Sequence, residues 1–399
     1  MEFYHNTSEI NELIMELDNF DLNLNTVKIT QNNFFMKLYN DMKTIYKVTE
    51  CNKSKIKYKC VARNIKKEEF KDLDFISQNT IDYITTKLNY MTKYNYKNNV
   101  IHYATVNRVS EVVPDIIKHM FTIICLMKKL FKRMRFEQTV CYYECDLPKI
   151  FPYEKKSMIK TDNINSAVTM VTHLKNGNII LYRKEEILKV LIHELIHSNL
   201  GDYKLIVSRH PKKYIFNNLF CTNYTIQINE AYTESMATMM YIFYKNIINV
   251  SGRNNKKINI MFNDLDKMFE CELKYSSYIC SQIFKHYDLK SIKDIMKTDR
   301  QNNKCKSVFL QDSNLFSYYI LKNILLRHHI EFGNCLIYGL KDYKIIDNGD
   351  KYSKKNKEHV ISDIIDILLK YIYDFDKDVL IPLKKLKTIN KSNSIKMCI

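Results

Sequence analysis

The sequence predicts an α+β protein, mostly helical, with a small mixed sheet. Three observations lead there. Only 6 Gly and 5 Pro occur among 399 residues, too few to punctuate a turn-rich β architecture. Apolar residues recur at spacings of three and four along most of the chain, the period of amphipathic helices. Between 137 and 183 the period changes, and Asn176-Gly177 stands between two β-prone runs. Asn-Gly suits a hairpin because both positions tolerate positive φ.

Residues 1–136 read as a helical N-terminal region, with helices around 33–47, 67–93 and 108–134. The last closes on the basic run Lys128 to Arg135, where cations complement a helix C-terminus. Thr139 to Cys145 reads as a strand that stops before Pro148, and 163–174 pairs with 178–183 as the hairpin. Ile179 to Tyr182 then runs into a helix over about 184–200, with Gly201 as its stop. Further helices are expected at 225–248, 257–287, 312–330 and 357–374. The chain thus divides into 1–136, a core of 137–330, and a helical C-terminal extension of 331–399 whose last residues, 387–399, are expected to be mobile.

The hydrophobic share of 46%, with 29 Tyr and 20 Phe, supplies a core of real size for a chain this long. The net charge of +18 is carried mainly by Lys dispersed among Asn, Ile and Tyr. No zinc-finger, basic-zipper or single-strand-binding motif accompanies it, so no specific nucleic-acid partner is expected, and a basic nucleic-acid-binding protein stands as the weaker alternative. Eleven Cys, an odd number without a CxxC pair, point to reduced thiols and a cytoplasmic setting. Cys141 and Cys145, the closest pair, read as buried apolar residues. The start of the chain lacks a basic segment followed by an apolar core, so no secretory signal is visible. The best apolar run, Met120 to Met127, is broken by Lys128-Lys129, short of the roughly 20 residues a bilayer needs.

The chemistry concentrates in His193-Glu194-Leu195-Ile196-His197. Four residues apart on a helix, the two histidines stand on one face about 6 Å apart along the axis and can reach one ion. Glu194 lies at the edge of that face, where its carboxylate can take a proton from a water on the ion. On the next helix, Ile228-Asn229-Glu230-Ala231-Tyr232-Thr233-Glu234 again places two carboxylates at i and i+4.

At these residues the chain resembles the gluzincin branch of the zincin metallopeptidases, the thermolysin and neprilysin type, whose second motif is Asn-Glu-x-x-x-Asp. The resemblance implies Zn2+ held by His193, His197 and Glu230, a zincin-like core, and Glu234 orienting His193 from behind. The family usually has Asp where this chain has Glu234, so either carboxylate remains open as the third ligand. Asp202 is a further rival, although Gly201 and Asp202 stand four and five residues after His197, a spacing that departs from the aspzincin and metzincin patterns. A closer resemblance is to uncharacterised HExxH proteins of large nucleocytoplasmic DNA viruses. It rests on Asn163 to Ser166, Tyr182 to Glu186, Glu230 to Glu234 and Phe316-Ser317-Tyr318-Tyr319, and covers about 141–330.

The activity implied is hydrolysis of peptide bonds, with Glu194 as general base and Tyr318 or Tyr319 as donor to the oxyanion. An extended peptide would pair with the edge strand from about 163–174. A non-catalytic zinc-stabilised scaffold or virion protein is the other alternative. Host cytoplasm or virion is the expected setting, and nothing in the sequence bears on oligomeric state.

Overall fold

The computed structural model describes residues 28–71, 73, 75–109, 112–131, 137–170, 178–198, 214–251, 264–299, 304–336 and 353–380. Helix α1 (Asn33–Thr49) starts at Asn32, whose side chain accepts from Phe35 N at 3.0 Å, the usual way to satisfy an orphan N–H. The same side chain donates to His329 O at 2.8 Å. Gly333 allows that approach, since a Cβ there would lie 2.3 to 2.8 Å from the Asn32 side chain.

Strand β1 (Lys57–Ala62) follows, then α2 (Gln78–Lys87), β2 (Tyr90–Tyr96) and β3 (Asn99–Thr105). Helix α3 (Asp115–Leu130) leads to β4 (Thr139–Tyr143), and β5 (Ala167–Met170) and β6 (Asn178–Leu181) complete the sheet. Its order is β1-β2-β3-β4-β6-β5. The pairs β3/β4 and β4/β6 are parallel and the others antiparallel. A parallel neighbour requires a crossover, and α3 is the crossover from β3 to β4.

The mixed sheet and helical majority are those expected, but residues 1–136 are not helical throughout. They supply three of the six strands, and β2 occupies the end of the expected helix 67–93. The missing clue was a turn signal. Strands β2 and β3 are joined by Lys97-Asn98, with Lys97 at φ 53, so the tight turn uses no glycine. At 163, where a strand was expected, a single helical turn (Thr161–Ile164) precedes β5. The β5/β6 pairing runs from Ala167↔Leu181 to Met170↔Asn178, while Asn176-Gly177 lies outside the described residues.

Alternation along the strands splits the core. Val140, Tyr142, Ile179 and Leu181 enter the large cluster with α1, α3 and the helices beyond. Tyr143, Ile180 and Tyr182 enter a smaller cluster with Ile81 and Ile84 of α2. A strand buried on both faces reads as a continuous apolar run, which is why β6 is Ile-Ile-Leu.

The large cluster contains α4 (Ile187–Ser198), α5 (Ile228–Ser251) and α6 (Leu265–His286). Next come a π-helical turn (Phe316–Leu321), α7 (Lys322–Arg327) and α8 (Ser353–Tyr371), whose Ile364, Ile365 and Leu368 join the same core. No described helix is long and apolar enough to cross a membrane. Among the described cysteines eight are free, Cys141 and Cys145 included, with burial pushing both thiols up to about 11. Cys221 departs from the expected reduced state and is disulfide-bonded. It lies between Ile295 and Phe309, with backbone bonds of 2.8 Å to each, a proximity made by folding that residue spacing does not reveal.

Candidate metal centre

Helix α4 enters the core directly from β6. Glu186, just before it, has φ +56, an uncommon value for a non-glycine residue. Its carboxylate is held by Lys149 Nζ at 2.7 Å, both side chains being buried. Lys149 N also donates to Glu185 at 3.0 Å. The start of the helix is thereby tied to the segment after β4.

Side chains four apart on a helix stack along one face, and two such stacks meet here. Lys189, His193 and His197 rise along α4, and Glu230 and Glu234 along α5. Lys189 bonds Glu234 Oε1, and His193 Nδ1 lies 2.9 Å from Glu234 Oε2. His193 Nε2 and His197 Nε2 lie 3.6 and 3.5 Å from Glu230 Oε2. The pairing order is reversed between the two helices, so they cross antiparallel along the contact.

The two Nε2 atoms are 3.0 Å apart. Two donors bound at roughly 2.1 Å to one tetrahedral ion stand about 3.4 Å apart, and the three separations bracket that value. Glu230 Oε2 is buried without a hydrogen-bond partner, whereas Glu230 Oε1 accepts from Asn229 Nδ2 at 3.0 Å. An unpartnered buried carboxylate oxygen beside two imidazoles is costly by itself and suits a cation. His193, His197 and Glu230 can hold a metal ion, and among the described residues they are the only such group.

The electrostatics agree. Burial opposes ionisation of Glu230, but His197 and His193 outweigh it and hold the carboxyl well below the usual range. Burial likewise opposes the charge on Glu234, which Lys189 and His193 overcome. His193 is moved up, since Glu230 and Glu234 outweigh its burial. Both carboxylates are thereby favoured in the charged form that ligation of a cation requires.

Glu194 is buried and its Oε2 accepts from Thr169 Oγ1 at 2.5 Å. Thr169 belongs to β5, an edge strand, on the sheet face that meets α4. Tyr318 packs edge-on against His193, with ring centroids 5.7 Å apart. Burial, then the carboxylates of Glu230 and Glu194, push its phenol well up, so it stays a hydrogen-bond donor. Tyr319 is placed differently. Its ring faces Lys322 Nζ at 5.7 Å, on the Glu186 and Glu234 side. The π-helical turn that carries both tyrosines is a form often found at functional sites. Asp202 lies outside the described residues, as do Arg133 and Arg135 of the basic run. Lys128, at the start of that run, is turned inward to Asn99 Oδ1 at 2.5 Å.

Sequence reasoning missed Lys189 and Thr169. The signal for Lys189 was available: it is the one charge in Ile187 to Ile192 and stands four residues before His193. Thr169 carried no such mark, because only the sheet brings it to α4.

No protein-family model matches the chain, and no solved structure matches it. It is similar to an uncharacterised protein of Acanthamoeba polyphaga mimivirus, 29% identical over 124 residues, which is 31% of this chain and 30% of that protein. The likeness is to a viral protein and spans less than a third of either chain.

Proposed function

We propose that the chain is a zinc-dependent peptidase that cuts extended peptides, with His193, His197 and Glu230 as zinc ligands and Glu194 as general base. The observation that carries this is the position of Glu194. Its carboxylate is buried one residue from His193 and is held by a threonine of the edge strand, and Tyr318, which packs on His193, is influenced by its charge and by that of Glu230. Two imidazoles and one carboxylate are a donor set that zinc favours, and three protein ligands leave a fourth position for water. Bound there, zinc would acidify that water and polarise a carbonyl.

The remaining work falls to side chains of this chain. Glu194 accepts the water proton at its carboxylate and passes it to the departing amine. Tyr318, protonated and packed on His193, donates to the oxygen on which negative charge develops. Strand β5, an edge of the sheet among the described residues, would pair with the substrate backbone, and Thr169 joins that strand to Glu194. Glu234 orients His193 through Nδ1, leaving Nε2 toward the ion. The partial likeness to a mimivirus protein supports a setting in the host cytoplasm or virion.

The deciding experiment measures zinc per chain and cleavage of a peptide library for the unaltered protein and for Glu194→Gln. The expected result is one zinc in each, with cleavage lost only in the variant. Equal proteolysis by both would sink the assignment of Glu194, and zinc without cleavage in either would favour the scaffold alternative.

A further inference from the structure

Lys189 is nearly inaccessible, with 7% of its side chain exposed, in a helix segment otherwise made of Ile, Leu and Val. A lysine is seldom buried so deeply unless paired. Here the ammonium meets Glu234 Oε1, while Glu234 Oε2 faces His193 Nδ1 at 2.9 Å. Both oxygens of Glu234 are engaged. Glu230 differs, because its Oε2 has no partner and points at two imidazole nitrogens.

The two glutamates share one face of α5, Glu230 meeting both Nε2 atoms and Glu234 meeting Nδ1 of the same His193. Something must decide between them. Neighbouring charges are already matched, with Lys149 on Glu186 at 2.7 Å and Lys322 beside Glu272 at 3.8 Å. Lys189 is the cation bonded directly to Glu234, with Lys322 attracting that carboxylate from farther away.

We infer that Lys189 is a positioning residue that selects the ligand set: it pins Glu234 behind His193, so that Glu230 alone supplies a carboxylate oxygen to the metal. The inference rests on the metal centre proposed above.

The test uses the full chain and Zn2+ alone, with affinity measured by competition against a chromophoric chelator. Lys189→Met and Glu234→Gln should each weaken zinc about 10- to 100-fold, as loss of a partner behind a ligand does. The double variant should match Glu234→Gln within about twofold, because Lys189 acts only through Glu234. With Co2+ in place of Zn2+, Lys189→Met should show weaker visible absorption as the released Glu234 joins the ion, and Glu234→Gln should not. Unchanged zinc affinity in Lys189→Met, or losses that multiply in the double variant, would overturn the inference alone. If Lys189→Met does not fold, the double variant, which removes both charges, decides by the same comparison with Glu234→Gln. No zinc binding by the unaltered chain would overturn the metal centre and this inference with it.

Discussion

Thr169 Oγ1 lies 2.5 Å from Glu194 Oε2 and 3.2 Å from the Glu194 carbonyl oxygen, so one side chain of the sheet edge holds the carboxylate of the residue that follows His193. Removing that hydroxyl frees Glu194 to turn. Thr169→Val, which keeps shape, should lower kcat for peptide cleavage about 10-fold, near the value of one hydrogen bond to a charged group. Zinc content should not change, and Thr169→Ser should restore the rate. A valine variant as fast as the parent would remove Thr169 from the site.

Of the donor triad His193 and Glu230 are buried and His197 is half-buried, and Glu230 Oε2 makes no hydrogen bond but faces both Nε2 atoms. Glu230→Ala should therefore lose more zinc affinity than the roughly 10- to 100-fold typical of a residue behind a ligand. Chelation of the metal should lower the melting temperature of the unaltered protein, because an ion that binds only the folded state stabilises it. In Glu230→Ala, chelator should move the melting temperature far less. Calorimetry with and without chelator makes the comparison.

Tyr318 and Tyr319 are adjacent in sequence but face different neighbours, His193 for one and Lys322 for the other. Tyr318→Phe should lower kcat about 100-fold or more, the usual loss for one oxyanion donor, with KM and zinc content little changed. Tyr319→Phe should leave kcat near the parent. Steady-state kinetics on one cleavable peptide separates the two, and equal losses would place the donor elsewhere.

His119 predicts how stability responds to acid. Its Nδ1 faces the Tyr244 hydroxyl at 2.9 Å, and burial, aided by Lys118, pushes its pKa from 6.5 to about 4. Above pH 6.5 the ring is neutral whether the chain is folded or not. As pH falls from 6.5 to 4, the unfolded chain binds a proton that the folded chain refuses, and about 3 kcal/mol of stability drains away. His119→Phe should flatten that part of the curve of unfolding free energy against pH, read by urea denaturation across the range.

Much of this molecule is legible in local pattern. The spacing of His193 and His197, and of Glu230 and Glu234, follows from helix geometry, and the bounds of α1, α4, α5 and α6 fall within a few residues of those expected except at the start of α6. Strand β2 was hidden because Lys97-Asn98 turns the chain without a glycine. The sequence by itself determined which side chains share a face: two imidazoles on one helix, two carboxylates on another. Only the tertiary structure decided how those faces meet. The antiparallel crossing sets Glu230 against both Nε2 atoms and Glu234 against His193 Nδ1 and Lys189, and the β5 edge brings Thr169 to Glu194. Periodicity specifies direction around a helix axis, whereas the offset between two helices is fixed by packing among residues far apart in the chain.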